Sequence, residues 1–185
     1  MSAITLPQIV AITGAAGSGK TTAADYLVQH YGYQRVKFAD PIKKMIRCLG
    51  LGDMSIEGAL KESPIEWLND KSPRYLMQTL GTEWGRQMVC RDIWITIWRN
   101  TVDGWINDVP DSRIVVDDCR FANEAEAVRA LGGRIVALHR PGAGLPGHHA
   151  SEAGITGRDL RIVVNDGDIA QLNQRVLHEL VRTWA

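Results

Sequence analysis

The segment GAAGSGKTT, residues 14–22, constrains the fold of this chain more than any other stretch. It follows QIVAIT, residues 8–13, a short β-branched run typical of a buried strand. The residues after it carry apolar side chains at helical spacing. A glycine-rich turn between a strand and a helix directs backbone N–H groups and the positive helix end at one point. We therefore predict a phosphate-binding loop on an α/β scaffold.

The loop matches the pattern GxxxxGK(S/T) in full, from Gly14 to Thr21. We expect Lys20 to reach the β- and γ-phosphates of a nucleoside triphosphate and the Thr21 hydroxyl to bind Mg²⁺. The alternative is a glycine-rich turn that holds no ligand. The residues predicted to contact the nucleotide here are Gly14, Ala15, Ala16, Gly17, Ser18, Gly19, Lys20, Thr21 and Thr22.

Length and composition indicate a single globular domain, residues 1–185. Lys plus Arg balances Asp plus Glu at 21 each, so no net field favours a nucleic acid or a membrane as partner. The three cysteines form no CxxC pair, which argues against a zinc site or a disulfide framework. No apolar run approaches the ~18 residues of a membrane span, and no leader pattern is present at the N-terminus. A cytoplasmic location is expected.

Predicted strands and helices alternate along the chain. Asp40, Ser72 and Asp92 are the predicted N-caps of three of the helices. The alternation predicts a parallel sheet with helices on both faces, a three-layer α/β sandwich. Further strands are predicted at 33–39, 113–118, 134–139 and 161–164, and helices at 21–31, 41–49, 73–88, 93–108, 122–133 and 168–183.

A phosphate-binding loop alone does not name a reaction, since switches, motors and small kinases share it. No NKxD segment of a guanine-binding switch occurs, and a motor or ring ATPase normally needs a longer chain. A small kinase needs a carboxylate for Mg²⁺, an acceptor site and a lid carrying arginine. The chain has candidates for all three.

The metal carboxylate is predicted in IVVDDCR, where Asp117 and Asp118 end a buried strand. Adjacent strand residues point to opposite sides, so only one of the two can face the metal directly. Arg120 follows closely and is a candidate partner for phosphate. A solvated strand end and an ordinary salt bridge are the alternatives.

The lid is predicted at 140–158, a Gly- and Pro-rich stretch with Arg140 and Arg158 near its ends. A plain long loop is the alternative. His148 and His149 lie within it, but adjacent histidines without further ligands favour a surface position over a metal site.

One helix carries a stripe of Trp94, Ile97, Trp98, Thr101 and Trp105. Such a stripe is typical of core, and a homodimer surface is the alternative. In DPIKKM, at least one of the two lysines is expected to be simply solvated.

Five segments, taken in order, resemble the bacteriophage deoxynucleoside monophosphate kinases. They are GAAGSGKTT, FADPIKKM, LMQTLGTEWGR, VVDDCRFANEAEAVRALGG and HHASEAGI. The resemblance extends from Ile9 to the C-terminal helix, and LGTEWGR and DxRFxNE are its specific parts. It implies transfer of the ATP γ-phosphoryl group to a deoxynucleoside monophosphate, with Mg²⁺. It also implies a P-loop core with a monophosphate-binding region, about 40–90, and a lid.

By motif position, Asp118 and Arg120 correspond to the aspartate and arginine of DxRF, and Arg86 ends LGTEWGR. The NDG segment, 165–167, resembles the loop near adenine in nucleoside monophosphate kinases. Further matches are Asn123 and Glu124 in the NE that follows DxRF, and His149, Ser151 and Glu152 in an HxSE segment to which we assign no role.

Together these positions predict a site. Gly81 and Gly85, four apart, would clear space beside Arg86 for the acceptor if the helix continues; a helix that breaks at Gly81 is the alternative. The predicted catalytic residues are Lys20, Arg86, Asp118 and Arg120; the metal ligands are Thr21 and Asp118; the acceptor residues are Asp40, Lys43, Gln78, Arg86 and Arg120; and Arg140, Asn165 and Gly167 join the loop in binding ATP.

Two other functions remain open from the residues. One is a kinase for another small phosphorylated acceptor, of the dephospho-coenzyme A or phosphomevalonate kinase type. The other is a nucleotide sensor without turnover. If the chain is encoded by a phage, the expected compartment is the host cytoplasm.

Overall fold

The structure is a computed structural model that describes residues 5–143, 155 and 160–181. The described residues form a five-stranded sheet in the order β2-β3-β1-β4-β5, and every pairing is parallel. The strands are β1 (Ile9–Thr13), β2 (Tyr33–Arg35), β3 (Arg113–Val116), β4 (Arg134–His139) and β5 (Arg161–Val164).

Strand β1 lies at the centre of the sheet because all five of its side chains are apolar or small and all are buried. It pairs with β3 through Ala11 beside Val116, and with β4 through Thr13 beside Ala137. Strands β2 and β3 are shorter than predicted: β2 ends at Arg35 and β3 at Val116, so neither reaches residue 39 or 118. Beyond these ends the Val36 N–H bonds to β3, at the Val115 carbonyl, and the residues that follow stand at the carboxyl edge of the sheet, where ligands collect in open α/β folds.

Helices cover both faces of the sheet. Helices α1 (Lys20–Tyr31) and α7 (Ile169–Val181) share a core with Val10 and Ile12 of β1. Helix α6 (Ala122–Ala130) packs on β1 and β4, with Val128 close to Ile9. Because Ile9 and Val10 point to opposite faces, α6 lies opposite to α1 and α7. The predicted α/β class with helices on both faces is confirmed.

The chain forms two compact units. The first, to Lys37 and from Arg99 onward, contains the sheet. The second, Phe38–Trp98, contains helices α2 (Asp40–Cys48), α3 (Asp53–Ile56) and α4 (Pro73–Gln78), 3₁₀ turns at Ala59–Glu62 and Glu66–Leu68, and a π-helix at Thr79–Val89. Helix α5 (Ile93–Asp108) begins in this unit. The core of the second unit is formed by Ile42, Ile46, Leu51, Ile56 and Trp94.

Two predicted helix starts meet different outcomes. The Ser72 hydroxyl accepts a hydrogen bond from the Tyr75 N–H and caps α4, as expected. Asp40 is not an N-cap: the Lys43 N–H bonds to the Ala39 carbonyl, so Ala39 is the cap and Asp40 is the first helical residue. Pro41 then stands in the first turn, where its missing N–H costs no helical bond.

The predicted helix 73–88 is two elements, α4 followed by the π-helix. The wider hydrogen-bond spacing is visible at its end, where the Cys90 N–H donates to the Gly85 carbonyl, five residues back. The chain therefore does not break at Gly81. π-helical turns are rare in proteins, and those that occur are often found at functional sites.

In α5, Trp94 and Trp98 are buried as a core stripe predicts, whereas Trp105 is 40% exposed.

Among the described residues, no helix is both long and apolar enough to cross a membrane.

Candidate active site

The phosphate-binding loop joins the end of β1 to the start of α1. Its backbone has positive φ at Gly14 (136°), Gly17 (75°) and Gly19 (101°), a conformation that other residues rarely adopt. At Gly14 a Cβ atom would stand 2.3 Å from the Leu138 carbonyl oxygen. Only glycine fits there, so the loop pattern is required by packing as well as by its turn.

Lys20 lies on this loop. Its Nζ donates hydrogen bonds of 2.7 Å to the carbonyl oxygens of Gly14 and Ala15. The buried Ser18 Oγ makes no hydrogen bond to the residues that the structure describes. The loop therefore combines a cation, a buried hydroxyl and a helix N-terminus, which are groups that bind phosphate. Thr21, the second residue of α1, is exposed.

Asn165 braces the loop from the end of β5. Its side-chain Nδ2 donates to the Ser18 carbonyl over 2.9 Å, and its backbone N–H donates to the His139 carbonyl over 2.7 Å. A Cβ at Gly19 would come within 2.7 Å of the same Nδ2. The sequence predicts Asn165 near adenine, and in the structure its side-chain amide contacts the phosphate loop.

The other residues of the NDG segment are held by α7. Asp166 pairs with Arg175 over 2.6 Å, and this hydrogen bond and charge lower the pKa of the Asp166 carboxyl. At Gly167 a Cβ would overlap the Gln171 side chain, and Asp168 and Gln171 cap the helix reciprocally. The segment is therefore anchored at both of its ends.

The predicted lid falls largely outside the described residues. Arg140, which follows β4, is exposed. Residues His148, His149, Ser151, Glu152 and Arg158 lie outside the part of the chain that the structure describes.

The two adjacent aspartates after β3 have different surroundings. The Asp117 side chain is 1% exposed and lies 3.4 Å from Lys37 Nζ and 3.9 Å from Arg35 Nε. Asp118 is partly exposed. Since β3 pairs with β1, Asp118 follows the strand that neighbours the start of the phosphate loop. Asp117 is thus buried beside two protein cations, whereas the Asp118 side chain is the more exposed of the two.

Arg120 stands at the start of α6, where Glu124 organises the backbone. The buried Glu124 carboxylate accepts the N–H groups of Arg120 (2.7 Å) and Phe121 (3.1 Å). This satisfies two donors at the helix start and sets the backbone that carries Arg120. Burial, with the nearby charges of Glu124 and Asp118, raises the pKa of the Cys119 thiol, which disfavours a thiolate at this position.

Arg86 and Gln78 lie in the second unit. The Arg86 Nη1 donates to the Gly81 carbonyl over 2.7 Å, and the same oxygen accepts from Trp94 Nε1 over 2.7 Å. Gln78 is the last residue of α4, where the α-helix gives way to the π-helix. The expected open space beside the two glycines is not found: a Cβ at Gly85 would meet the Trp94 indole at 2.5 Å, and one at Gly81 would meet Ile42 at 3.0 Å.

Lys43 and Asp40 belong to α2. Lys43 is buried and forms an ion pair with Glu57 in the second unit, while Lys44 is exposed. Solvation therefore holds for Lys44 and not for Lys43. Asp40, in the first turn of α2, is partly buried.

The described residues contain no group of three or more His, Cys, Asp or Glu placed to hold a metal ion. Mg²⁺ bound with a nucleotide takes most of its ligands from phosphate and water and needs one or two protein oxygens. The Thr21 hydroxyl and the Asp118 carboxylate fit that limited donor set.

Sequence reasoning missed several partners in these sites. Lys37 and Arg35 are separated from Asp117 by about 80 positions, and nothing local signals the pairing. Glu57 lies in a stretch without clear periodicity. The role of Glu124 had a usable signal, because a glutamate at the third position of a helix is typical of a capping box.

Comparison with known proteins agrees with this architecture. Residues 54–176, more than half of the chain, match the family model described as deoxynucleotide monophosphate kinase. A protein of Acanthamoeba polyphaga mimivirus, provisionally named a deoxynucleotide monophosphate kinase, is 32% identical over 92% of this chain and 91% of its own. The deoxynucleotide monophosphate kinase of Enterobacteria phage T4 is 25% identical over 94% of this chain and 98% of its own.

A solved structure supports the fold. A provisionally assigned kinase from Chloroflexus aurantiacus superposes with a TM-score of 0.50 at 17% identity, covering 95% of this chain and 96% of its own. The family match spans both DxRFxNE and LGTEWGR, the segments that carry Arg120 and Arg86. The chain is a kinase and belongs to the deoxynucleotide monophosphate kinase family.

Proposed function

We propose that this chain transfers the γ-phosphoryl group of ATP to the 5′-phosphate of a deoxynucleoside monophosphate, with Mg²⁺, giving ADP and a deoxynucleoside diphosphate. The observation that carries the proposal is the phosphate loop, in which Lys20 bonds to two loop carbonyls and the buried Ser18 hydroxyl has no partner among the residues that the structure describes. Membership of the family supplies the class of acceptor.

On the ATP side, the loop N–H groups and the start of α1 hold the triphosphate. Lys20 leaves the carbonyls of Gly14 and Ala15 and moves to the β- and γ-phosphates, because phosphate oxygens are the stronger acceptors. Arg140 follows β4, and Asn165 and Gly167 follow β5, so that all three stand at the carboxyl edge of the sheet, where they can reach the rest of the nucleotide.

Thr21, with its hydroxyl, and Asp118, with its carboxylate, would be the residues that hold Mg²⁺. The ion, when bound, neutralises charge on the β- and γ-phosphate oxygens. Asp117 remains paired with Lys37 and Arg35. These ion pairs help to fix the residues after β3, including Asp118.

On the acceptor side, Arg86 binds the 5′-phosphate of the monophosphate. Gln78, Asp40 and Lys43 belong, with Arg86, to the monophosphate-binding region. A guanidinium can grip phosphate through two parallel hydrogen bonds, which favours Arg over Lys at this position. Lys43 serves here through its ion pair with Glu57, which ties α2 to the residue after α3.

The transfer itself needs alignment and charge neutralisation. An oxygen of the acceptor phosphate, already anionic at neutral pH, attacks the γ-phosphorus as the bond to the β,γ-bridging oxygen of ATP breaks. The electron pair of that bond leaves on ADP, so no general base is required. Arg120 and a lid arginine neutralise the transferring group.

We further propose that residues 1–185 act as a single kinase domain, with a monophosphate-binding region at about 40–90 and a lid at 140–158. The second compact unit, Phe38–Trp98, contains that region.

A coupled assay of ADP release tests the function. The full chain is supplied with ATP, Mg²⁺ and each of the four deoxynucleoside monophosphates in turn, with the ribonucleotide counterparts, dephospho-coenzyme A and phosphomevalonate alongside. We expect release that depends on a deoxynucleoside monophosphate. Release with another acceptor alone, release without any acceptor, or no release would each contradict the proposal.

A further inference from the structure

One backbone carbonyl in the second unit accepts hydrogen bonds from two side chains. The Gly81 oxygen lies 2.7 Å from Arg86 Nη1 and 2.7 Å from Trp94 Nε1. The Trp94 side chain reaches it from α5, thirteen positions along the chain, and is 2% exposed. The indole and the guanidinium therefore converge on one oxygen.

The packing of the indole explains a glycine of the LGTEWGR segment. A Cβ at Gly85 would stand 2.5 Å from Trp94 Cζ2 and 2.7 Å from Nε1. Only a residue without a side chain lets the indole lie flat enough against the π-helix to reach Gly81. Gly85 makes room for Trp94, and Trp94 in turn bonds to the carbonyl that Arg86 uses.

The π-helix makes such a bond valuable. Its turns are wider than those of an α-helix and less stable by themselves, so an external contact is needed to hold one in place. A buried indole N–H requires an acceptor, and leaving it without one is costly. The Trp94–Gly81 bond meets both needs and holds the Gly81 carbonyl in position.

We propose that Trp94 is a positioning residue for Arg86. By holding the Gly81 carbonyl, it fixes the oxygen that anchors Nη1 and so sets the plane of the guanidinium presented to the acceptor phosphate. Trp94 acts through Gly81 and does not touch the reacting atoms. This inference rests on the proposed role of Arg86 in binding the monophosphate.

The test replaces Trp94 by phenylalanine, which keeps an aromatic ring but removes the N–H donor. We expect Trp94→Phe to lower kcat/KM for the deoxynucleoside monophosphate by about tenfold, mainly through its KM, because a fixed guanidinium loses less freedom on binding. The affinity for a non-hydrolysable ATP analogue should stay within about twofold of the wild type.

Trp98→Phe is the matched control. Trp98 lies one turn further along the same helix, is 1% exposed and packs on the Phe38 ring at 4.7 Å. Its replacement costs the core a similar volume without touching the Gly81 carbonyl bond. We expect kcat/KM for the acceptor to stay within about threefold of the wild type.

A double-mutant cycle with Arg86→Lys distinguishes positioning from a general structural effect. If Trp94 acts through the guanidinium, Trp94→Phe should add at most about twofold once Arg86 is lysine. Gly85→Ala keeps the tryptophan at position 94 but pushes its indole away from the Gly81 carbonyl. This variant should therefore also raise the KM for the acceptor, and it replaces Trp94→Phe in the test if Trp94→Phe does not fold.

Equal effects of Trp94→Phe and Trp98→Phe would overturn the inference, as would full additivity with Arg86→Lys or an unchanged acceptor KM in Gly85→Ala. Failure of the proposed function has a different signature, since the wild-type chain would then show no ADP release that depends on a deoxynucleoside monophosphate.

Discussion

The side-chain amide of Asn165 donates a 2.9 Å hydrogen bond to the backbone carbonyl of Ser18, 147 positions earlier in the chain. Both residues are buried, and the bond joins the end of β5 to the phosphate loop. Through its backbone N–H, Asn165 also bonds to the last residue of β4. The shape of the loop thus depends on strands at the far end of the sequence.

This bond makes Asn165 a testable part of the nucleotide site. Asn165→Asp removes the donor and sets a carboxylate beside the Ser18 carbonyl and the expected triphosphate. We expect binding of a non-hydrolysable ATP analogue, measured by calorimetry, to weaken by about tenfold or more. The control is Asp166→Asn, which alters an exposed ion pair with Arg175 and should change affinity by less than about threefold. Equal affinities for the two variants would contradict the role given to Asn165.

Lys20→Ala tests the loop cation. The side chain is partly exposed and its bonds to the Gly14 and Ala15 carbonyls lie within the loop, so the variant should fold and keep the circular dichroism spectrum of the wild type. Turnover in the ADP-release assay should fall by several orders of magnitude, because the charge on the transferring group is lost. Near-normal turnover from a folded Lys20→Ala variant would remove Lys20 from the reaction.

We expect Asp118 to bind the metal and Asp117 to stabilise the fold. Asp118→Asn is expected to raise the Mg²⁺ concentration needed for half-maximal rate and to reduce turnover. Asp117→Asn should have a smaller effect on Mg²⁺ dependence but lower the free energy of unfolding by about 2 kcal/mol, because it removes the carboxylate between Lys37 and Arg35. Mg²⁺ titration and urea unfolding of both variants provide the comparison, and the reverse ranking would assign the metal to Asp117.

Arg86→Lys should act on the acceptor and spare ATP. Lysine keeps the charge but cannot make two parallel hydrogen bonds to a phosphate. We expect kcat/KM for the deoxynucleoside monophosphate to fall by about tenfold or more, with affinity for the ATP analogue close to wild type. Steady-state kinetics with each substrate varied in turn separates the two. If only the affinity for ATP fell, Arg86 would not be part of the acceptor site.

The three cysteines should react at different rates. Cys48 and Cys90 are exposed, whereas Cys119 is buried and its thiol pKa is raised by that burial and by nearby carboxylates. Since the thiolate is the reactive form, iodoacetamide at neutral pH should label Cys48 and Cys90 well before Cys119. Mass spectrometry of the native protein reads out the order. Early labelling of Cys119 would contradict the packing at the start of α6.

The sequence alone was sufficient for features that depend on neighbouring residues. The phosphate loop, the strands β4 and β5, helix α5 and the Ser72 cap follow from local patterns of glycine, apolar spacing and hydrogen-bonding side chains. The alternation of strands and helices also predicted the parallel sheet, because such crossovers leave few other arrangements.

Features that depend on distant partners came only from the tertiary structure. Motif position pointed to Asp118 as the metal residue, but the ion pairs that Asp117 makes with Arg35 of β2 and with Lys37 just after it could not be read from the sequence. Asn165 could not be placed on the phosphate loop, and Glu57 could not be paired with Lys43, for the same reason.

The two glycines of LGTEWGR show most clearly what a local sequence pattern cannot predict. Their spacing predicts an open helix face, but whether that face is open depends on what packs against it. The Trp94 indole fills the space at Gly85 and bonds to the Gly81 carbonyl, and the segment adopts the wider turns of a π-helix. Local sequence determined where small residues stand, and only long-range packing decided which side chain uses the space, because the free energy that holds a rare helix comes from contacts outside it.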